Sequence, residues 1–299
     1  MKSLKTFILL VLLPAALALH AQIQGNWSLI GPVQFPTNIV GQINGMGRVS
    51  QIKFHPTNPN IMYAVSATGG LWISNNTGAT WNHTGTDNLA QQQFASICID
   101  YTNDSILYLG GGDANYYSHS LYAIQKSTDG GQTWGPASNT IGNRLVVEIL
   151  MSPLNHNVLI AATNDGIIKS ADAAATWVEK VSTGDFTDMV FKPVQNTATI
   201  YAVTHSKIYR SKDMGDTWSE LTNGDTIPNN DGQGMRLAVT PADTNRIYVG
   251  MIANRGNVLR SDDGGDSWRT VKDDYSTSIV GYAPDQDGQG NYDFTMIAD

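Results

Sequence analysis

An all-β fold of repeated four-stranded sheets is what this sequence predicts, and three observations carry the prediction. A polar motif ending in tryptophan occurs five times: "SNNTGATW" (74–81), "STDGGQTW" (127–134), "SADAAATW" (170–177), "SKDMGDTW" (211–218) and "SDDGGDSW" (261–268). Its tryptophans, Trp81, Trp134, Trp177, Trp218 and Trp268, stand 53, 43, 41 and 50 residues apart. Short apolar runs of strand length fill the intervals, four to a unit. A period of about 40–50 residues with four strands in each is the signature of propeller blades.

The first unit shows the elements in order. "VSQIKFHP" is an inner strand, "TNPN" a turn and "IMYAVSA" a second strand. "TGG" leads into a third strand, "LWIS", and the motif then turns the chain into a fourth, "TWNHTG". "IYAVTHSKIYRSKDMGDTW" and "RIYVGMIANRGNVLRSDDGGDSW" repeat that order. The motif itself has a mechanism. Asp129, Asp172, Asp213 and Asp263, with Asn76 in the first copy, can accept hydrogen bonds from nearby backbone N–H groups. Glycine at the fifth position permits the positive φ of a tight hairpin. Ala174 takes that place in the third copy, at a cost of about 1–2 kcal/mol if its φ is positive. The tryptophan anchors the fourth strand in the packing between sheets.

These residues resemble the Asp-box, or bacterial neuraminidase repeat, β-propellers, a group that includes sialidases, xyloglucanases and the sortilin-type receptor domain. "FHPTNPNIMYAVSATGGLWIS" (54–74) is similar to exported bacterial sortilin-like and glycosyl-hydrolase-like repeat proteins. The resemblance covers about residues 26–299 and implies that the boxes are structural and lie away from the ligand. It also implies a ring of seven blades. Five units are whole; "GNWSLIG" (25–31) reads as a stray fourth strand and "NYDFTMIAD" (291–299) as the start of a further inner strand. The expectation is a fragment of a seven-bladed or larger ring, spanning 22–299 and incomplete at its C-terminus.

Composition narrows the function. The formal net charge is −8, and only three of the 26 acidic residues are Glu, so acidity sits in turn-favouring Asp. An acidic chain without basic runs excludes nucleic acid as a partner. "MKSLKTFILLVLLPAALALHA" (1–21) has the charged start, short apolar run and small-residue end of a secretory signal peptide, and no later run could span a bilayer. A secreted or cell-surface protein is expected. Cys98, the single cysteine, sits in an apolar strand and reads as a packing thiol. The histidines lack metal-ligand spacing, "GGG" (110–112) is not followed by a phosphate-loop Lys, and "DDGGD" (262–266) is satisfied by its own backbone. No metal or cofactor is expected.

Strand order puts the loops after the second and fourth strands on one face. They are the long ones, and long loops on one side of a rigid scaffold carry binding. They supply Asp113, Tyr116, Tyr117, His119, Arg255 and Tyr282 as candidate contacts to a sugar or peptide, with Arg48 ahead of the first inner strand. A second pattern appears on the inner strands. Gln51, Ser96, Glu148, Asp188 and Arg236 occupy equivalent places, all polar between apolar neighbours. A solvated channel lined by one polar residue per blade is the expected resolution. Gln51 and Arg236 join the ligand-binding candidates, and Glu148 and Asp188 are the candidate acid/base pair.

Two functions follow. The favoured one is a non-catalytic module that binds a glycan or an extracellular protein through the loop-rich face. The alternative is a sialidase- or xyloglucanase-like glycoside hydrolase using Glu148 and Asp188. The resemblance argues for the first, since in xyloglucanases a catalytic Asp lies in a Thr-Asp-x-Gly-Gly stretch of the first blade. Here "SATGG" (66–70) puts Ala67 at that place, and the Arg-Ile-Pro motif of sialidases is missing.

Overall fold

Among the described residues, twenty strands form five four-stranded antiparallel sheets, each in simple sequence order. The structure, a computed structural model, describes residues 48–90, 92–113, 124–138, 142, 144–221, 234–252, 256–272 and 294–298. Blade 1 comprises β1 (Val49–Phe54), β2 (Met62–Ser66), β3 (Gly70–Ser74) and β4 (Asn82–His83). Blade 2 comprises β5 (Phe94–Ile99), β6 (Leu107–Gly111), β7 (Ile124–Ser127) and β8 (Gly135–Ser138). Blade 3 runs through β9 (Val146–Met151), β10 (Leu159–Thr163), β11 (Gly166–Ser170) and β12 (Val178–Val181). Blade 4 has β13 (Phe186–Phe191), β14 (Ile200–Thr204), β15 (Ile208–Ser211) and β16 (Ser219–Glu220). Blade 5 has β17 (Met235–Val239), β18 (Ile247–Met251), β19 (Asn257–Ser261) and β20 (Arg269–Lys272). The leader and the "GNWSLIG" strand expected from the sequence lie outside the described residues.

The core sits between sheets. Tyr63, Val65 and Leu71 of blade 1 pack on Phe94, Ile97 and Leu107 of blade 2. Cys98 and Tyr108 of blade 2 pack on Ile149, Met151 and Leu159 of blade 3. The same alternation joins Ile160 and Ile167 to Met189 and Ile200, then Val203 and Ile208 to Leu237 and Val249. Strand period two explains it, since odd and even residues of an inner strand face opposite neighbours. Cys98 is buried as a packing residue, and burial pushes its thiol up to about 12. On blade 1 the face turned away from blade 2 leaves Ile52 and Phe54 exposed.

Every box folds alike. The leading serine accepts from the amide four residues on, at 2.8–2.9 Å, as in Gly131 N–H to Ser127 Oγ. The acid's Oδ1 accepts from the amide of the Thr or Ser before the tryptophan, and in the four Asp copies Oδ2 accepts that residue's hydroxyl. Asn76 keeps the first bond and reverses the second, donating from Nδ2 to Thr80 Oγ1. The indole N–H of Trp81, Trp134 and Trp218 returns to the carbonyl three residues back. At the tip, the amide of the fourth box residue (Thr77, Gly130, Ala173, Met214 or Gly264) donates to the first hairpin turn of its own blade. The box thus ties both hairpins on one side of a blade. Ala174 has φ 72°, and Ala173 beside it also lies at positive φ, 57°.

Candidate functional site

The polar residues of the inner strands occupy a place that a bulge creates. In β1, β5 and β13 the register against the second strand slips just before Gln51, Ser96 and Asp188, and in β9 it slips between Val146 and Glu148. β17 reaches the same place without a slip, pairing Arg236 with Gly250. A bulge re-aims a side chain, and here it turns polar groups toward the following blade. Gln51 Oε1 accepts the Ile97 amide at 2.8 Å, and Asp188 Oδ2 accepts the equivalent Leu237 amide at 2.8 Å. Ser96 donates to the Val146 carbonyl at 2.9 Å. The polarity that a wet channel was expected to require is used on backbone groups at the blade boundaries, where an unpaired amide would be costly.

Glu148 is different because its partners come from blade 1. Gln51 Nε2 donates to it at 2.5 Å and Lys53 Nζ at 2.9 Å. Gln51 therefore joins blade 1 to blades 2 and 3 with one side chain. Burial lifts the Glu148 carboxyl above its usual range; the Lys53 charge opposes that shift, and the Asp188 charge adds to it. Lys53 is raised in turn, chiefly by Glu148. Asp188 is also lifted by burial, against the Leu237 and Met189 amides and the Arg236 charge. Arg236 spends its guanidinium on the carbonyls of Thr187 and Met235, at 3.2 and 2.9 Å.

Lys53 was not among the sequence candidates, although a signal existed. It follows Gln51 by two residues, where the other inner strands carry Cys98, Leu150, Val190 and Ala238. A lone cation in an apolar row, like the lone Glu148 in "LVVEILM", asks for an opposite charge. On the loop face the structure pairs Arg48 with a buried Asp113. Tyr116, Tyr117, His119, Arg255 and Tyr282 lie outside the described residues. Among the described residues no group of His, Cys, Asp and Glu could hold a metal ion, and no helix is long and apolar enough to cross a membrane.

The fold and its boxes define an Asp-box propeller architecture. Residues 165–295 match the family model described as "Sortilin, neurotensin receptor 3". The xyloglucanase Xgh74A of Acetivibrio thermocellus is 23% identical over 254 residues, covering 80% of this chain and 27% of the enzyme. A xyloglucanase of Hypocrea jecorina is 33% identical over 252 residues, covering 76% of this chain and 26% of the enzyme. Among solved structures, a GH74 enzyme of Niastella koreensis superposes with a TM-score of 0.60 at 21% identity, over 74% of this chain and 38% of that one. An ancestral GH74 enzyme gives 0.61 at 20% identity, over 75% and 31%. The chain thus spans about a quarter of the length of the curated relatives it matches.

These relatives correct the functional preference drawn from the sequence. The non-catalytic binding module was favoured because Ala67 replaces an acid and the Arg-Ile-Pro motif of sialidases is missing. The relatives matched along most of the chain are xyloglucanases, which supports the glycoside hydrolase alternative instead. Those two departures weigh less than that breadth of likeness.

Proposed function

We propose that this chain is part of a glycoside hydrolase acting on xyloglucan or a closely related glucan. The observation that carries the reading is its likeness to several xyloglucanases over 76–80% of its length. Ala67 is almost fully buried and supplies no acid, so the carboxyl groups come from elsewhere. Glu148 and Asp188, on neighbouring inner strands, are the pair we assign.

Glycoside hydrolysis needs one carboxyl that holds a proton and one that is ionised. Glu148 suits the first role, since burial favours its protonated form. It would give its proton to the glycosidic oxygen as the bond to the sugar carbon breaks, while Asp188 takes a proton from the water whose oxygen bonds to that carbon. Asp188 is raised by burial as well, but the Leu237 and Met189 amides and the Arg236 charge oppose that rise, so it is the one we assign to the second role. Residues 1–21 would export the protein to a polysaccharide outside the cell.

The test is release of reducing sugar from xyloglucan by the purified full chain. Glu148→Gln and Asp188→Asn should each lower turnover by about a hundredfold or more while the variants stay folded. A full chain that releases no sugar overturns the hydrolase reading. Full activity in either variant overturns the assignment of that residue.

A further inference from the structure

Gln51 has a single orientation open to it. Its Oε1 accepts the Ile97 amide at 2.8 Å, which turns Nε2 to Glu148, where it donates to Oε2 at 2.5 Å. A flipped amide would set its own N–H groups against the Ile97 N–H and lose that bond. Because Oε2 accepts from a group that can only donate, a proton on Glu148 belongs on Oε1. Oε1 is the oxygen 2.9 Å from Lys53 Nζ. The Lys53 side chain is 36% exposed against 9% for Glu148, so Oε1 lies on the side open to solvent.

Each carboxyl of the pair has its own cation. Lys53 of β1 meets Glu148, and the Arg236 charge of β17 acts on Asp188 of β13. The other strands packed on β9 bring no charge. Cys98 of β5 is a thiol held neutral by burial, Tyr108 of β6 lies beyond it, and β10 has no titratable side chain. In the reaction assigned above, Glu148 loses a proton and Asp188 gains one. Negative charge therefore passes from the Arg236 side to the Lys53 side. A cation already in place needs no reorganisation when that charge arrives.

We propose that Gln51 and Lys53 are positioning residues for Glu148: Gln51 confines its proton to Oε1, and Lys53 receives the negative charge left when that proton goes to the glycosidic oxygen. Lys53 keeps its own proton throughout, as a lysine does at neutral pH. The inference rests on the assignment of Glu148 as the acid of the hydrolase.

Two readouts on the full chain test it. Glu148 is one of three glutamates, with Glu179 and Glu220, so glutamate labelled with 13C at the side-chain carboxyl gives three signals. Glu148→Gln assigns its signal by removing it. In Lys53→Met the Glu148 signal should titrate at higher pH than in wild type, while those of Glu179 and Glu220 stay in place. Lys53→Arg should bring it back.

The second readout is the pH profile of sugar release from xyloglucan. Glu148 must hold its proton to act, so kcat falls as pH rises through its folded value. Lys53→Met should carry that fall to higher pH. Its plateau kcat should drop about tenfold with KM little changed, and Lys53→Arg should restore most of the loss. Gln51→Met should lower kcat as well and move the limb less, because it removes no charge. Thermal melts confirm folding, and Lys53→Gln serves if the methionine variant fails to fold. An unmoved Glu148 signal, or sugar release with an unmoved basic limb, overturns the role of Lys53 alone. A wild-type chain that releases no sugar overturns it together with the hydrolase reading.

Discussion

Lys53 on β1 and Glu148 on β9 form an ion pair at 2.9 Å although a whole blade separates their strands in the chain. Glu148 is nearly buried, while the Lys53 side chain keeps 36% of its exposure. The pair therefore acts mainly by giving the buried Glu148 carboxyl somewhere to put its charge once pH rises past its raised value, with Gln51 completing the set. Removing the cation leaves that charge uncompensated.

Lys53→Met should destabilise the fold by about 2 kcal/mol at neutral pH, below the value for a fully buried pair because water reaches the lysine. The loss should depend on pH. The folded Glu148 value lies above its ordinary 4.5, so its contribution is fully present below about 4.5 and is lost as pH rises through the folded value. Without Lys53 the folded value climbs further. Urea titrations of Lys53→Met should match wild type closely near about pH 4 and diverge toward neutrality. Adding Glu148→Gln should recover most of the difference; a double variant as weak as the single one would show that Lys53 acts through its packing.

The boxes set a different pH limit. Hydrogen bonds from Thr133 and Ser127 hold Asp129 down to about 2, and similar bonds overcome burial to hold Asp213 and Asp263 at about 2. These values lie below the ordinary 3.8, so the stabilisation is present above that value and is lost as pH falls through about 2. Melting temperature should drop steeply across that window. Asp129→Asn should shallow the acid limb, because Asn76 shows that an amide can keep the main bond of the box. An unchanged acid limb would place the acid-sensitive step outside the boxes.

Much of the fold was legible because its signals are local and repeated. The Asp (Asn76 in the first copy), the positive-φ pair and the tryptophan of each box work within eight residues, so five copies announce five hairpins. That Tyr108 and Lys126 both donate to the Ala173 carbonyl was hidden, since this target lies in the next repeat and is a backbone group. The inner-strand row was readable as polar residues, but its purpose was not. A bulge before Gln51 or Asp188 leaves no compositional mark, and it decides whether the side chain meets water or the next blade. Glu148 asked for a partner by its burial; that the partner is Lys53, two blades back, follows only from the curvature of the assembly.

Ala173 and Ala174 hold left-handed backbone that glycine takes at equivalent places, Gly130 and Gly131 in box two and Gly264 and Gly265 in box five. Ala173→Gly should stabilise the protein by about 1 kcal/mol, as relief of strain exceeds the added freedom of the unfolded chain. Ala174→Gly should gain less. Its methyl is fully buried in the core between blades 2 and 3, and that contact is lost with the strain. Equal gains in urea denaturation would show that the Ala174 methyl contributes nothing to the interface.

Gly110 tests how closely blades 2 and 3 must approach. A Cβ there would lie 2.8 Å from both Val146 Cγ1 and the Val146 carbonyl oxygen, with Ser96 Oγ closer still. Ser96 donates to that carbonyl, so the crowded atoms are the ones that join the blades. Its φ is not in the left-handed region, which makes the cost steric. Gly110→Ala should therefore destabilise by about 2 kcal/mol, and Val146→Ala in the same chain should return part of the loss by removing one of the obstructing groups. Gly250→Ala crowds the far ends of the Phe294 and Met296 side chains instead of a backbone carbonyl, and it should cost less. Denaturation of the three variants side by side decides the matter. If Gly110→Ala is as stable as wild type, the blades yield at this boundary and the Ser96 bond does not set their spacing.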